Sequence, residues 1–236
     1  MRLSWRTPAL APVLLLIPAL AFAAWHPGGN RIGVAGDHGF AAAVSGPDRV
    51  VVSWIRPTPS DQSEVRAQAL TADGYLAVGW PTDGVRMGDM AGFGLEPVVA
   101  GDGSGGAYVA WVARSNNNDS TLRLQHVSAG GVVAAGWPAE GMLLGTARLI
   151  APALAADNAG GVIVGRAESN PASYEPRAVI QRFDASGALA PGWPAEGVVI
   201  PNASQLGVLV DTDGHIFVST SEIGRASCRE RVLPTV

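Results

Sequence analysis

Carboxylates are the side chains of this 236-residue chain best placed to do chemistry. Asp61, Glu64, Asp119, Glu168 and Glu175 fall in polar stretches between apolar runs. Two carboxyl groups flanking a glycosidic bond are what glycoside hydrolysis requires, one to give a proton and one to attack or to activate water. Asp211 and Asp213, in Asp211-Thr212-Asp213-Gly214, open like a calcium loop, although the fifth-position acid and the distant bidentate Glu are absent. A further candidate depends on processing. Cleavage after Ala23 would leave Ala24-Trp25-His26 at the terminus. Its amine, two amide nitrogens and the His26 imidazole form a square-planar set suited to Cu(II) or Ni(II). The four histidines, His26, His38, His126 and His215, have no Ser or Cys partner in a recognisable nucleophilic setting. No phosphate loop stands out, and no cofactor is expected.

These residues hang on a repeat. Gly79-Trp80-Pro81, Gly136-Trp137-Pro138 and Gly192-Trp193-Pro194 lie 57 and 56 residues apart, a period that marks a propeller, a solenoid or an array. Each unit reads in four parts. A short apolar run closes in an acidic, glycine-rich turn (Pro97–Gly106, Pro152–Gly161), and an alternating strand follows (Val50–Trp54, Ala107–Trp111, Val162–Gly165). A third segment carries a recurring glutamine (Gln68, Gln125, Gln181) before a Gly turn, and the Gly-Trp-Pro segment runs into an apolar end. Apolar runs of four to eight residues bounded by Gly, Asp, Asn and Pro read as strands, and Asp and Gly supply the turns. The expectation is an all-β, β-propeller-like fold of about 56-residue repeats, four short antiparallel strands per blade. A fourth unit opens at Leu206–Val218 and shows two strands, so the ring is expected to be incomplete. Trp25–Ile32 reads as a worn Gly-Trp-Pro segment whose strand would close the ring.

The pattern Asp-x-x-Gly-Gly-x-x-Val-x-Trp, a polar loop, a Leu-Arg-Leu-Gln strand, a Gly turn and Gly-Trp-Pro-x-x-Gly resembles repeats of large secreted bacterial proteins of propeller type. The resemblance covers nearly all of residues 25–220. It implies a fold and a secreted setting and no catalytic residue. Ile223–Val232 (IGRASCRERV) resembles a frame translation of a sequencing-adaptor oligonucleotide. It holds three of the sixteen Arg and the only Cys, with no strand pattern. Residues 223–236 are therefore expected to be a non-native tail after a truncation near Glu222; a genuine basic tail is the competing reading.

Arg2 and Arg6 precede the apolar Ala9–Phe22 stretch, and Ala21-Phe22-Ala23 offers a small-x-small cleavage site, so residues 1–23 read as a signal peptide. Two prolines and a short core argue against a spanning helix, and no integral membrane segment is expected after cleavage. Residues 24–222 hold 11 Arg against 19 acids, a formal charge of −8, and no Cys. That balance excludes a basic footprint for nucleic acid and leaves no disulfide to staple the fold despite an oxidising periplasmic or extracellular destination.

The recurring side chains have two readings. Trp80, Trp137 and Trp193 either stack on sugars or, more cheaply, wedge between blades, and Trp54 and Trp111 end core strands. Gln68, Gln125 and Gln181 either line a ligand channel or meet partners on a neighbouring blade. Arg56, Arg114 and Arg166 are either paired within their blades or gathered at the axis to bind an anion. The reading favours a secreted binding or scaffold module with an unknown protein or glycan ligand, presented by loops Pro57–Ser63, Ser115–Ser120 and Glu168–Pro176. The alternative is a propeller enzyme acting on glycans as hydrolase or lyase, with carboxylates on those loops.

Overall fold

A computed structural model of the chain describes residues 30–60, 62–90, 93–114, 119–148, 150–170, 172–222 and 225–233. Among them there is no helix. The strands are β1 (His38–Val44), β2 (Arg49–Pro57), β3 (Ser63–Thr71), β4 (Val85–Met90), β5 (Phe93–Gly101), β6 (Ala107–Arg114), β7 (Asp119–Val127) and β8 (Met142–Arg148). They continue as β9 (Ala151–Ala156), β10 (Val162–Ser169), β11 (Pro176–Phe183), β12 (Val198–Pro201), β13 (Ala203–Val210), β14 (Ile216–Glu222) and β15 (Arg225–Leu233). They form three four-stranded sheets, β1–β4, β5–β8 and β9–β12, and a three-stranded sheet, β13–β15, each an antiparallel meander in chain order.

Local chemistry builds the sheets. In the β5–β6 hairpin Asp102 Oδ1 accepts from the Ser104 and Gly106 amides at 2.7 and 3.0 Å. Asp157 does the same with Ala159 and Gly161, and Asp211 with Asp213 and His215. The third residue after each aspartate is Gly105, Gly160 or Gly214, at φ +98°, +90° and +85°, a backbone region that side chains resist. The Gly-Trp-Pro loops repeat as faithfully. Trp80 N–H donates to the Ala77 carbonyl and Gly84 N–H to the Pro81 carbonyl, and the same pairs recur at Trp137 and Gly141 and at Trp193 and Gly197.

The first strands of successive sheets lie side by side, β1 by β5, β5 by β9 and β9 by β13, so the sheets fan out from an inner row of strands in the propeller manner. Apolar side chains fill each gap. Val51, Val65 and Trp80 of the first sheet meet Val109 and Trp111 of the second. Leu122, Leu124 and Trp137 meet Val162, Val164 and Phe183. Ile163, Ile180 and Trp193 meet Ala203, Ile216 and Val218. No such cluster joins the fourth sheet to the first among the described residues, so the ring is not closed.

Two expectations change here. Arg225–Leu233 forms a strand, β15, paired along β14 from Ile216↔Leu233 to Glu222↔Arg225, where its side-chain pattern indicates none. The physical reason is that an open strand edge offers backbone donors and acceptors to any extended chain. Of the proposed ring-closing segment Trp25–Ile32, residues 25–29 lie outside the described residues and 30–32 are not in a strand.

Asp102 also links this frame to pH. Burial alone would raise its carboxyl, but His126 Nε2, 3.0 Å from Oδ2, and the Ser104 and Gly106 amides outweigh it and hold the group below the usual carboxylate range. A carboxylate lowered on folding stabilises the fold above its unfolded value near ~4 and loses that contribution as pH falls through the folded value. Asp102→Asn, which keeps the turn acceptor, is expected to lower stability at pH 7 and to flatten the decline below about pH 4. Urea unfolding from pH 2 to pH 7 measures both, and an unchanged acid limb would exclude Asp102 as its source.

Candidate functional site

In an antiparallel meander the ends of the second and fourth strands lie beside the starts of the first and third. The β2–β3, β6–β7 and β10–β11 connections therefore share one side of the molecule. The aspartate hairpins and the Gly-Trp-Pro loops occupy the other. On the connection side a cavity of about 230 Å³ opens between the third and fourth sheets, lined by Ala167, Glu168, Ser169, Tyr174, Pro176, Ala203 and Ser204.

Glu168 forms its buried polar wall, with a side chain only 3% exposed. Both oxygens are held. Arg166 Nε donates to Oε2 at 2.8 Å, and Arg177 donates to Oε1 from Nε at 2.9 Å and Nη2 at 2.6 Å. Arg166 Nη1 also donates to Gln181 Oε1 at 2.8 Å, and Gln181 Nε2 to the Ala195 carbonyl at 2.9 Å. A continuous polar chain thus runs from the cleft to the Gly-Trp-Pro loop beyond it. Satisfaction at every link is what lets these charges stay buried.

Tyr174 stands at the mouth. Its φ is +59°, and its N–H donates to the Asn170 carbonyl at 2.8 Å, closing the loop. The Asn170 side chain accepts from the Ala172 amide at 2.9 Å. The ring so presented is 64% exposed, with the Arg148 guanidinium 5.6 Å from its centroid. An exposed aromatic face beside a fixed carboxylate and the hydroxyls of Ser169 and Ser204 suits a ligand with both C–H faces and hydroxyl donors.

Cross-strand register explains why this site sits in the third unit. Trp54 lies opposite Arg66 and Trp111 opposite Arg123, whereas Arg166 takes that rung opposite Val179. Two residues on, the rung reads Arg56↔Glu64 in the first unit, Ala113↔Thr121 in the second and Glu168↔Arg177 in the third. The charges are reversed between first and third. Sequence reasoning missed Arg177 and Tyr174; aligning the units on their glutamines and reading four residues upstream would have found Arg177.

The other candidates are dispersed. Glu64 is paired with Arg66 at 2.6 Å and Arg86 at 3.5 Å on the first sheet. Glu175 is exposed, Asp119 opens β7, and Asp61 and His26 lie outside the described residues. Asp211, Asp213 and His215 offer ligand atoms within 4.8 Å of one another. Asp211 Oδ1, however, is occupied by its turn and Oδ2 by His215 Nδ1 at 2.9 Å, and Asp102 and Asp157 build the same turn without a second acid. Arg56 is paired with Asp37 and Asp83, and Arg166 with Glu168. Arg114 Nε has no partner among the described residues. These arginines belong to three different sheets.

The glutamines differ from expectation. Gln68 and Gln125 donate to the Pro81 and Pro138 carbonyls of their own sheets at 2.9 and 2.6 Å, and Gln125 alone also reaches Met87 on the neighbouring sheet at 3.3 Å. The third strand leads straight into the Gly-Trp-Pro loop, so that loop supplies the nearest carbonyl. The tryptophans lie buried in the gaps between sheets rather than in the cleft. Trp80 and Trp137 each donate to a carbonyl of the next sheet, and Trp54 is fully buried with Phe40 stacked on it.

No protein-family model matches this sequence, and no curated protein matches it. Among solved structures the chain is similar to an endo-arabinase from Bacteroides thetaiotaomicron, at 12% identity over 82% of this chain and 73% of that one, with a TM-score of 0.44. It is similar to a thermostable family-43 glycoside hydrolase at 12% identity, covering 85% and 71% with a TM-score of 0.41. An α-L-arabinofuranosidase from Podospora anserina solved with cellotriose matches at 11% identity, covering 89% and 67% with a TM-score of 0.34. Identities this low carry no residue across.

Proposed function

We propose that this chain is an exported propeller-type binding module whose cleft between the third and fourth sheets takes a neutral saccharide. The observation that carries the reading is the Tyr174 ring, held out at the mouth of a cleft whose wall is the clamped Glu168 carboxylate. A sugar would lay its C–H face on the ring and donate hydroxyl hydrogens to Glu168, Ser169 or Ser204. Export rests on the signal-type leader, residues 1–23. Among the described residues no helix is long and apolar enough to cross a membrane.

Binding is favoured over hydrolysis because both Glu168 oxygens already accept from guanidinium groups, which suits an orienting acceptor better than a proton donor. Titrating the protein with neutral pentose and hexose oligosaccharides, followed by NMR, tests the reading. Tyr174→Ala is expected to weaken the best ligand about tenfold, the equivalent of ~1.4 kcal/mol. Unchanged affinity would remove the cleft from the site. Release of reducing ends by the parent protein would establish the glycan-enzyme alternative instead.

A further inference from the structure

Two of the three Gly-Trp-Pro tryptophans work as latches between sheets. Trp80 Nε1 donates to the Ala129 carbonyl at 3.0 Å, 49 residues on, and Trp137 Nε1 to the Ala185 carbonyl at 2.9 Å, 48 residues on. Both acceptors lie in the turn that follows the third strand of the next sheet. In each, a glycine two residues past the acceptor seats the turn on the indole. A Cβ on Gly131 would stand 2.7 Å from Trp80 Cα, and one on Gly187 3.2 Å from the Trp137 ring. The third tryptophan breaks the series. Trp193 is buried among Ile163, Ile200, Ala203 and Val218 as its counterparts are, yet its Nε1 has no hydrogen-bond partner among the described residues. A buried donor without an acceptor is rare and costly.

Among its described residues the fourth sheet has no counterpart to the acceptor turns of the second and third sheets. Gln125 and Gln181 lie opposite Val109 and Val164, and the corresponding place opposite Val218 is Arg231. Leu233-Pro234-Thr235-Val236 contains no turn glycine. We propose that Trp193 is the donor half of a third latch, and that its face of the third sheet seats a glutamine-bearing third strand, Gly turn and Gly-Trp-Pro loop continuing this polypeptide in place of β15. The occupant is chain of the same repeat type, because the seat matches two filled seats in the same molecule. This inference is independent of the saccharide reading.

Indole N–H spectra of the 15N-labelled chain, assigned by single Trp→Phe variants, give the first test. Trp80 and Trp137 are expected to exchange with solvent at least about tenfold more slowly than Trp193. In a second protein, residues 223–236 are replaced by a copy of residues 169–201, which keeps register because Glu222 of β14 corresponds to Glu168 of β10. Trp193 exchange is then expected to slow to the rate of its counterparts. Trp193→Phe should lower the melting temperature of the grafted chain by more than it lowers that of the parent, where only the lost packing is felt. Two results overturn the proposal. One is a Trp193 N–H as protected as Trp80 and Trp137 in the parent chain. The other is a Trp193 N–H still fast in a graft whose Trp137 remains protected.

Discussion

Trp111→Ala is expected to cost about 3–5 kcal/mol, the range for removing a large aromatic side chain from a well-packed interior. Trp111 is fully buried between the first and second sheets, and its Nε1 donates to the Asp89 carbonyl of the first sheet at 3.3 Å. The indole packs closely against two glycines. A Cβ on Gly141 would fall 2.6 Å from Trp111 Cη2, and one on Gly88 2.8 Å from Cζ2. Gly88 is held in the paired strand β4 and Gly141 by its bond to the Pro138 carbonyl, so this backbone resists collapse into the void and the cavity penalty is felt. A typical domain is stable by only ~5–15 kcal/mol, so the variant should lose much of its folded population in mild denaturant. Urea unfolding followed by far-ultraviolet circular dichroism measures it. A loss below about 1 kcal/mol would mean that the sheets do not depend on this wedge. Gly141→Ala should act in the same direction, since φ there is +74° and the new methyl meets the indole.

The second large effect is expected at Glu168. Glu168→Ala leaves Arg166, its side chain 10% exposed, without its carboxylate, and frees Arg177 as well. Breaking a buried ion pair from one side typically costs about 3–5 kcal/mol, because the surviving charge keeps its desolvation penalty. Replacing all the charges with apolar groups is a different experiment. Arg166→Met, Glu168→Leu and Arg177→Met together are expected to recover most of the loss. Chemical denaturation of the single and triple variants separates the cases. A triple variant no more stable than Glu168→Ala would show that the network contributes stability beyond its own charge balance. Because Glu168 also lines the cleft, its variants mix stability with binding, and Tyr174→Ala is the cleaner probe of ligand.

The recurring features of the repeat, aspartate hairpin in the last three sheets and glutamine and Gly-Trp-Pro loop in the first three, lie in the sheets or at the end away from the cleft. Chemical variety is concentrated at the other end, where the rung Arg56↔Glu64 becomes Ala113↔Thr121 and then Glu168↔Arg177. A scaffold held by one set of positions leaves another free to vary, as is usual for sites carried on repeated supports.

The architecture was legible from residue order because its causes are local. An aspartate that bonds amides two and four residues ahead makes the same hairpin wherever it recurs. The Gly-Trp-Pro loop closes on carbonyls three residues away. Such interactions need no distant partner, so the all-β class and the four-strand unit could be read directly. Tertiary structure alone decided which groups meet across strands and sheets. Glu168 touches Arg177 because the β10–β11 register puts them opposite one another, and a shift of one residue would send them to opposite faces. Gln68 bonds its own loop rather than a neighbouring sheet because the chain folds back on itself there. Trp193 Nε1 has no acceptor among the described residues, whereas Trp137 finds its own only through the packing of one unit on the next.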